Sequence, residues 1–407
     1  MPEEILRPAF AGREKPLVSH GIPFSQALPQ HVQNIFHASR ILLIVSKSLA
    51  SNTCYLQDVK SALGSRLAGI RVGMKPHTHW SEILEIVSDA RHHRADLLVT
   101  LGAGSLTDAA KLISLALAND VSTFEELESL HPQTSQHRGN VMPAQIPLVC
   151  IPTSLSGGEY SATAGATNDT TGRKWSFSAQ AGIRCPALVI LDPQLSTSTP
   201  EHIWLSTGVK AVDHCIETLC SLQSDGHADE DAWNGLKKLI PGLLGCKNDK
   251  GDLKKRLDCQ LGVIDAMSAC SRGVPLGASH GIGHQLGPVG VGHGETSCLL
   301  LPAVCKYNYA NDANRQRQDA IVRALWELPD APGIFVTKGL KKQQADLGGL
   351  VAAVVQALGL PRSLREFGVN GDKFDAIAEN SLHDRWVKSN PAPIDKNGVL
   401  EILRMIA

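Results

Sequence analysis

The stretch VTLGAGSLTDAAK, residues 99–111, decides the fold prediction for the first part of the chain. A β-branched run ends at Gly102 and Gly104, and a helical pattern begins near Ser105. The glycines let backbone N–H groups approach a ligand closely, and the positive end of a helix favours an anion. The pattern therefore predicts a strand, a turn and a helix that together bind a pyrophosphate. The alternative is a tight turn without a ligand, in which Asp108 only helps to start the helix.

The same alternation of strands and helices continues on both sides of this stretch. Apolar β-branched runs predict strands at 41–46, 95–102, 146–153 and 187–193, and amphipathic segments predict helices at 53–68, 80–94 and 105–118. This order is typical of a mostly parallel, buried sheet. Beyond residue 195 the strand patterns end, and helices are predicted at 208–223, 229–245, 253–271, 347–358 and 396–406.

We therefore expect two domains. Residues 1–195 are predicted to form an α/β domain with a Rossmann-like parallel sheet, and residues 196–407 an all-α domain. A polar stretch at 131–145 is predicted to be a surface loop.

Composition excludes several classes of partner. Forty acidic residues nearly balance 39 basic ones, so we expect neither nucleic acid nor an anionic membrane surface as a partner, but a small molecule. No apolar run is long enough to span a bilayer, and the first residues lack a signal-peptide pattern. The ten cysteines form no CxxC pair. These features predict a cytoplasmic protein with reduced thiols.

A hydroxyl-rich turn, IPTSLSGGEYSAT at 151–163, follows another predicted strand. Thr153, Ser154 and Ser156 offer neutral donors that can hold phosphate or amide groups. Lys174 could add one cation to such a pocket, although a lone lysine in a polar loop is more often only solvated.

Histidines are concentrated in two segments of the second domain. In STGVKAVDHCIETLCS, residues 206–221, helical spacing places Lys210, His214 and Glu217 on one face. Such a histidine can be a metal ligand, a substrate contact, or a core residue bonded to a backbone carbonyl. The second segment is SHGIGHQLGPVGVGHGET at 279–296, which contains His280, His284 and His293.

Four motifs in this order resemble the iron-containing (group III) alcohol dehydrogenase superfamily: GAGSLTDAAK, IPTSLSGGE, VKAVDHCIE and HGIGHQLGPVGVGHGE. SNPAPIDKNGVLEIL at 389–403 is similar to its closing segment. The short turn PTSLSGGE and the segment HGETSCLLLPAVCKYN at 293–308 resemble the maleylacetate reductase branch. The resemblance covers nearly the whole chain. It implies a dehydroquinate synthase-like architecture with the active site in the cleft between the two domains, and a homodimer, since members are often dimers or larger.

The resemblance also implies a nicotinamide cofactor, NADPH or NADH. The residues expected to bind it are Gly102, Gly104, Ser105 and Asp108 at the pyrophosphate, Thr153, Ser154, Ser156 and Lys174 at the remaining groups, and His284 beside the nicotinamide ring. After the strand at 41–46, Ser46 and Lys47 occupy the position where related NAD-dependent enzymes often place an acid. We therefore predict that NADPH is used at least as well as NADH.

The metal centre of the family is incomplete in this sequence. In metal-dependent members, one aspartate and three histidines bind iron or zinc; the histidines correspond to His214, His280 and His293, but Lys210 stands at the aspartate position. A protonated lysine cannot bind a divalent cation. Three neutral imidazoles can still bind zinc, yet we expect that no metal is required. Lys210 and protonated histidines would then supply the positive charge that faces a developing oxyanion.

These features predict an NAD(P)H-dependent oxidoreductase that reduces a carbonyl, or a conjugated carbon–carbon double bond, of a small anionic substrate. Lys210, His214 and His280 would polarise the substrate, and His284 or His280 would relay the proton. Glu159 and Asp213 are further acids without an assigned role. One alternative is a metal-dependent alcohol or aldehyde dehydrogenase of the same superfamily. Another is a lyase or cyclase, or a nucleotide-binding protein without turnover, on the same fold.

Overall fold

A computed structural model describes residues 3–75, 78–134 and 137–407. The chain divides into two compact units, Met1–Ser198 and Thr199–Ala407. The predicted domain boundary after residue 195 lies close to this division. Each unit has its own hydrophobic core and is described by itself.

The first unit is built on a seven-stranded sheet with the order β1-β2-β9-β6-β5-β3-β4. All neighbouring strands are parallel except β1 and β2. A separate antiparallel pair consists of β7 and β8. The strands are β1 (Ile5–Pro8), β2 (Leu17–His20), β3 (Ile41–Val45), β4 (Leu67–Val72), β5 (Leu97–Gly102), β6 (Leu148–Pro152), β7 (Thr163–Thr167), β8 (Lys174–Ser178) and β9 (Leu188–Ile190).

Helices cover both faces of this sheet. Along β3, Leu42 and Ile44 belong to one core cluster, whereas Ile41 and Val45 belong to the other. Burial on both faces explains why the central strands are continuously apolar. The helices of this unit are α1 (Phe24–His31), α2 (Lys47–Asn52), α3 (Tyr55–Leu63), α4 (Trp80–His92), α5 (Gly104–Ala118), α6 (Phe124–Ser129) and α7 (Pro193–Ser196).

The second unit is helical, and its described residues form no strand. The long helix α8 packs against α9, α10 and α12, and the shorter helices α11, α16 and α18 surround a further core. The helices are α8 (Glu201–Cys220), α9 (Gly226–Asn248), α10 (Leu253–Ser271), α11 (Ala278–Leu286), α12 (His293–Ala310), α13 (Arg315–Leu325), α14 (Ala331–Thr337), α15 (Leu347–Ala357), α16 (Phe374–Ser381), α17 (Arg385–Lys388) and α18 (Lys396–Met405). The predicted fold class, an α/β unit followed by a helical unit, is confirmed.

Most predicted elements form, but one was wrong in part. The predicted helix at 53–68 ends at Leu63, and residues from Leu67 onward form β4. The predicted helix at 208–223 is longer at its start and ends at Cys220. Residues 131–134 and 137–145 of the predicted loop contain no helix or strand, and 135–136 lie outside the described residues.

Among the described residues, none of the helices combines the length and the apolar composition needed to cross a membrane.

Candidate active site

The cofactor-binding residues predicted from three separate motifs lie along one edge of the first unit's sheet. Ser46 follows β3, Gly102 ends β5, and Thr153 follows β6; these three strands are neighbours and parallel. The backbone N–H of Ser46 donates to Leu101, and that of Thr153 donates to Gly102, both at 3.0 Å. The carboxyl edge of a parallel sheet is where such folds bind nucleotides.

Two glycines allow close packing at this edge. Gly102 has a φ of +152°, and a Cβ there would lie 2.7 Å from Cδ1 of Leu106. A Cβ on Gly104 would lie 2.6 Å from Oγ of Ser156, whose hydroxyl accepts a hydrogen bond from Ser154 at 3.2 Å. Because α5 begins at Gly104, its first N–H groups face outward beside these hydroxyls. The arrangement fits the phosphates of a dinucleotide.

Buried polar contacts fix the hydroxyl-rich turn to α5. Lys111 is fully buried, and its ammonium donates to the carbonyls of Gly158 at 2.6 Å and Thr163 at 2.7 Å. Asp108 accepts from the backbone N–H of Gly165 at 3.1 Å. Its carboxylate is therefore already held inside the unit, and its predicted contact with the cofactor stays a prediction.

Three other predicted residues of this unit have defined surroundings. The exposed side chain of Lys174 lies on β8, beside Gly165, where a Cβ would meet its Cε at 2.8 Å. Ser46 caps α2 by accepting from the N–H of Leu49 at 3.4 Å, and Lys47 is exposed at the first position of that helix. The carbonyl of Ser105 accepts from Thr78 at 3.3 Å, and its side chain is exposed.

Glu159, which had no assigned role, is a buried structural acid of the first unit. Its carboxylate accepts a hydrogen bond from Thr107 at 2.9 Å. Burial raises the pKa of Glu159, because the charged form loses its hydration. Glu159 therefore helps to fix the hydroxyl-rich turn to α5, and its side chain is not exposed for a ligand to contact.

In the second unit, α8 and α11 bring His214 and His280 into direct contact. Their rings stack with centroids 4.6 Å apart and 23° between the ring planes. His293 stands exposed at the first position of α12. His284 lies one helical turn after His280 on α11 and is half exposed.

Glu217 connects α8 to the start of α11. Its carboxylate accepts from the N–H groups of Gly277 at 2.9 Å and Ser279 at 2.8 Å, and from Nδ1 of His280 at 2.7 Å. Since backbone donors already point at both carboxylate oxygens, Glu217 acts as an acceptor and Nδ1 carries the proton. The other nitrogen of His280, Nε2, is then an unprotonated acceptor, and it is buried without a partner among the described residues.

Asp213 lies fully buried beside this contact. It accepts from the hydroxyl of Ser279 at 2.8 Å, and one of its oxygens is 3.6 Å from Nδ1 of His280. Burial raises the pKa of Asp213 to about 7, against the attraction of His280. Burial likewise raises the pKa of Glu217 to about 7, although three backbone hydrogen bonds oppose the shift.

The prediction that protonated histidines supply positive charge was wrong for His214 and His280. Burial lowers the pKa of His280 to about 4 and lowers that of His214 well below its ordinary range. The positive charge of Lys210 lowers the pKa of both rings further. Both imidazoles are therefore neutral near pH 7, and Lys210 is the cation of this cluster. An unprotonated Nε2 also cannot donate to a carbonyl oxygen, so His280 does not polarise one.

The three histidines predicted as metal ligands do not converge. Among the described residues, the side chains that lie close enough to share a metal ion are those of Asp213, Glu217 and His280, each of which offers one ligand atom within 4.8 Å of the others. Hydrogen bonds account for most of this set, because N–H and O–H groups point at both oxygens of Glu217 and at Oδ2 of Asp213, whereas Oδ1 of Asp213 has no hydrogen-bond partner among the described residues. With Lys210 in addition, these residues do not fit the metal centre of one aspartate and three histidines.

A second acid–histidine pair was not predicted from the sequence. Asp384 accepts from Nδ1 of His284 at 2.8 Å, although the two residues are far apart in the chain. Glu217 was placed from the sequence on one helix face with His214, but its contact with His280 was not predicted. Nothing in the sequence around Asp384 points to His284.

Comparison with known proteins agrees with this fold. Residues 22–193 match the family described as iron-containing alcohol dehydrogenase, and residues 204–407 match the C-terminal part of the Fe-containing alcohol dehydrogenase family. The chain is 39% identical to dehydrogenase FUM7 of Gibberella moniliformis over 98% of both chains. It is 38% identical to dehydrogenase ALT3 of Alternaria alternata, over 91% of this chain and 99% of that protein.

Solved structures share the fold at lower identity. The crystal structure of maleylacetate reductase from Rhizobium sp. strain MTP-10005 superposes with a TM-score of 0.73 at 23% identity, covering 100% of this chain and 98% of that one. The chain belongs to the iron-containing alcohol dehydrogenase family and is an oxidoreductase of that family.

Proposed function

We propose that the protein is an NAD(P)H-dependent reductase of a small anionic substrate, acting on a carbonyl or on a carbon–carbon double bond conjugated with one, and that it requires no divalent metal. Members of this family typically use NAD(P)H and a divalent metal. The observation that carries the proposal is the charge pattern of the cluster on α8 and α11. Lys210 is its cation beside the neutral rings of His214 and His280.

Gly102, Gly104, Thr153, Ser154 and Ser156 would hold the phosphates and the adjoining groups of the cofactor. The support is that Gly104 places the start of α5 in close contact with the hydroxyl of Ser156, at the carboxyl edge of the parallel sheet. A bound NADPH or NADH would supply the hydride. We propose that NADPH is used at least as well as NADH, because Ser46 and the exposed Lys47 stand where an acid would repel a 2′-phosphate.

Lys210 would stabilise the negative charge that develops on the substrate oxygen, and it would attract a carboxylate of the substrate. A preorganised cation in a partly buried site is effective in this role because little water competes with it. His280 would accept a hydrogen bond at Nε2, for example from the hydroxyl of the reduced product. This division of roles requires a charged lysine and neutral histidines, and burial favours the neutral histidines.

One rival function has an observation in its favour. The two relatives that are 39% and 38% identical are both named dehydrogenases, whereas the similarity to maleylacetate reductase, at 23%, concerns the fold alone. An alcohol or aldehyde dehydrogenase would act on an uncharged carbonyl compound. Lys210 would then have no substrate carboxylate to attract.

A substrate panel separates the two functions. Oxidation of NADPH and of NADH is followed with maleylacetate, simple keto acids, aldehydes and ketones, and in reverse with the corresponding alcohols. The proposal expects turnover with anionic substrates, at a kcat/KM at least about tenfold above that of uncharged analogues. Turnover confined to uncharged carbonyl compounds would contradict it and favour the rival. No turnover with either group would favour a lyase, a cyclase or a binding protein.

A further inference from the structure

Asp384 holds His284 in one orientation. It precedes α17, where one carboxylate oxygen accepts from the N–H of Trp386 at 2.8 Å and the other accepts from Nδ1 of His284 at 2.8 Å. The side chain of Asp384 is 14% exposed, whereas that of His284 is 48% exposed. Burial opposes ionisation of Asp384, yet the hydrogen bonds from His284 and Trp386 outweigh it and lower its pKa.

This geometry fixes the tautomer of His284. An ionised carboxylate only accepts hydrogen bonds, so Nδ1 of His284 must carry a proton. The exchangeable position of the ring is then Nε2, on the more exposed part of the side chain. An acid that fixes the remote nitrogen of a histidine also makes the near nitrogen a stronger base.

The helices α11 and α17 pack closely at Gly281, and this allows the contact between Asp384 and His284. At Gly281, a Cβ would lie 2.6 Å from Cγ2 of Val387 and 3.3 Å from a carboxylate oxygen of Asp384. Any side chain at that position would therefore push α17, and Asp384 with it, away from α11. Gly281 thus permits the distance at which Asp384 reaches His284.

The two histidines of α11 differ in ways that matter for proton transfer. His280 is nearly buried, and burial lowers its pKa to about 4, so it does not hold a second proton near neutral pH. His284 is half exposed, and its Nδ1 is hydrogen-bonded to the ionised carboxylate of Asp384, so its Nε2 is the ring nitrogen that can exchange a proton with solvent. The sequence left both residues as candidates for the relay, and these contacts distinguish them.

We propose that Asp384 is a positioning residue that makes His284 the proton donor of the reaction, an inference that rests on the proposed reductase function. Hydride from NAD(P)H adds to the substrate carbon, and the π-electron pair moves to the oxygen or, for a conjugated double bond, to the far end of the system. The Nε2–H bond of protonated His284 breaks, its proton joins that electron pair, and the ring becomes neutral. Solvent then restores the proton, while Asp384 keeps its charge throughout.

The competing explanation is that Asp384 only caps α17. Asp395 offers a matched control, because it caps α18 by accepting from the N–H of Gly398 at 2.8 Å and contacts no histidine among its described hydrogen bonds. Asparagine caps helices as well as aspartate does. Asp384→Asn and Asp395→Asn should therefore have the same small effect if capping is the only role.

The experiment combines steady-state kinetics with a double-mutant cycle. We expect Asp384→Asn to lower kcat by about 10- to 100-fold, with the KM for NADPH nearly unchanged, while Asp395→Asn changes neither. We expect Asp384→Ala to have almost no further effect in a His284→Ala background, because Asp384 acts through that ring. Equal kcat values for Asp384→Asn and wild type would overturn the proposal. It would also be overturned if Asp384→Ala lowered kcat as much in the His284→Ala background as it does in wild type.

A second measurement does not depend on turnover. In protein with ¹⁵N-labelled histidine, the signals of His284, assigned with a His284→Asn variant, report which ring nitrogen carries the proton. At a pH high enough for the ring to be neutral, we expect the Nδ1–H form in wild type and in Asp395→Asn, and a mixture with the Nε2–H form in Asp384→Ala. An Nε2–H form in wild type, or the same spectrum in Asp384→Ala, would overturn the positioning role. If the wild-type protein shows the Nδ1–H form of His284 but has no reductase activity, the proposed function is wrong. The hydrogen bond between Asp384 and His284 is then still supported.

Discussion

The rings of His214 and His280 lie stacked, with centroids 4.6 Å apart, and both are kept neutral by burial and by the charge of Lys210. A divalent metal bound by both rings would draw one nitrogen of each toward a common point, and a cation already occupies this environment. The cluster instead combines one positive charge with two neutral rings and with the buried acids Asp213 and Glu217, whose carboxylates accept hydrogen bonds from Ser279 and His280. This pattern suits an anionic substrate better than a metal ion.

Replacing Lys210 by methionine tests the role of that charge. Methionine keeps an unbranched chain but removes the cation, so Lys210→Met should lower kcat/KM for an anionic substrate by about 100-fold or more. The control is Lys254→Met, since Lys254 is 82% exposed and pairs only with Asp258 among its described ion pairs. Steady-state kinetics with matched circular dichroism spectra check the result. Unchanged kinetics in Lys210→Met would remove Lys210 from the mechanism.

Gly104→Ala tests the cofactor edge of the first unit. The new methyl group would lie 2.6 Å from Oγ of Ser156, so either that hydroxyl or the start of α5 must move. We expect NADPH to bind about tenfold more weakly, which corresponds to about 1.4 kcal/mol. Fluorescence titration with NADPH measures this. Gly139→Ala is the control, because nothing lies within 4 Å of its Cβ position, and equal affinities of the two variants would contradict the assignment.

Ser46→Asp tests the choice between NADPH and NADH. Aspartate can keep the N-cap of α2 that Ser46 provides, so the local structure should persist. The added charge should repel a 2′-phosphate and accept hydrogen bonds from ribose hydroxyls. We expect the ratio of kcat/KM for NADPH to that for NADH to fall by about tenfold or more. A wild-type enzyme with a much lower KM for NADH would argue against the premise, and an unchanged ratio would show that Ser46 lies away from the ribose.

The buried acid Asp213 predicts a pH dependence of stability. Burial raises its pKa from an ordinary value of 3.8 to about 7. Between these values the folded protein keeps a proton that the unfolded chain has lost, so this group makes the free energy of unfolding fall as the pH rises. Asp213→Asn removes that contribution. The free energy of unfolding of the variant, relative to wild type, should therefore increase from about pH 5 to about pH 8.

Urea unfolding at the two pH values measures this difference. Glu217, His214 and His280 titrate in both proteins, so the comparison between variant and wild type isolates Asp213 to first order. Asp372→Asn, at an exposed acid, should leave the difference independent of pH. A difference that does not change between these pH values in Asp213→Asn would mean that Asp213 is ionised in the folded protein.

The sequence was sufficient for the central strands and the long helices. Strands β3, β5, β6 and β9 are buried on both faces, and their continuous apolar runs are visible without a structure. Strand β4 was missed because its residues are only partly buried and follow a helical pattern without a clear break. Strand β1 is an exposed edge of four residues, for which alternation carries little information.

The candidate site was predictable to the extent that its residues share local motifs. Lys210 and His214 share a helix, and the glycines of the cofactor edge share a turn, so spacing alone brought them together. The protonation states were not predictable, because they depend on burial. Burial lowers the pKa of His280 and raises that of Asp213, so that in each case the neutral form is favoured. The contact between Asp384 and His284 joins residues far apart in sequence, and only the packing of α17 on α11 creates it.

The most direct test of the account is turnover of NADPH by protein stripped of metal with a strong chelator, with maleylacetate and a panel of other keto acids as substrates. The account predicts full activity in the stripped enzyme, no increase on addition of zinc or iron, and loss of that activity in Lys210→Met. Activity that disappears on stripping and returns with about one equivalent of zinc or iron would contradict it, since the residues around Lys210 would then form a metal centre after all.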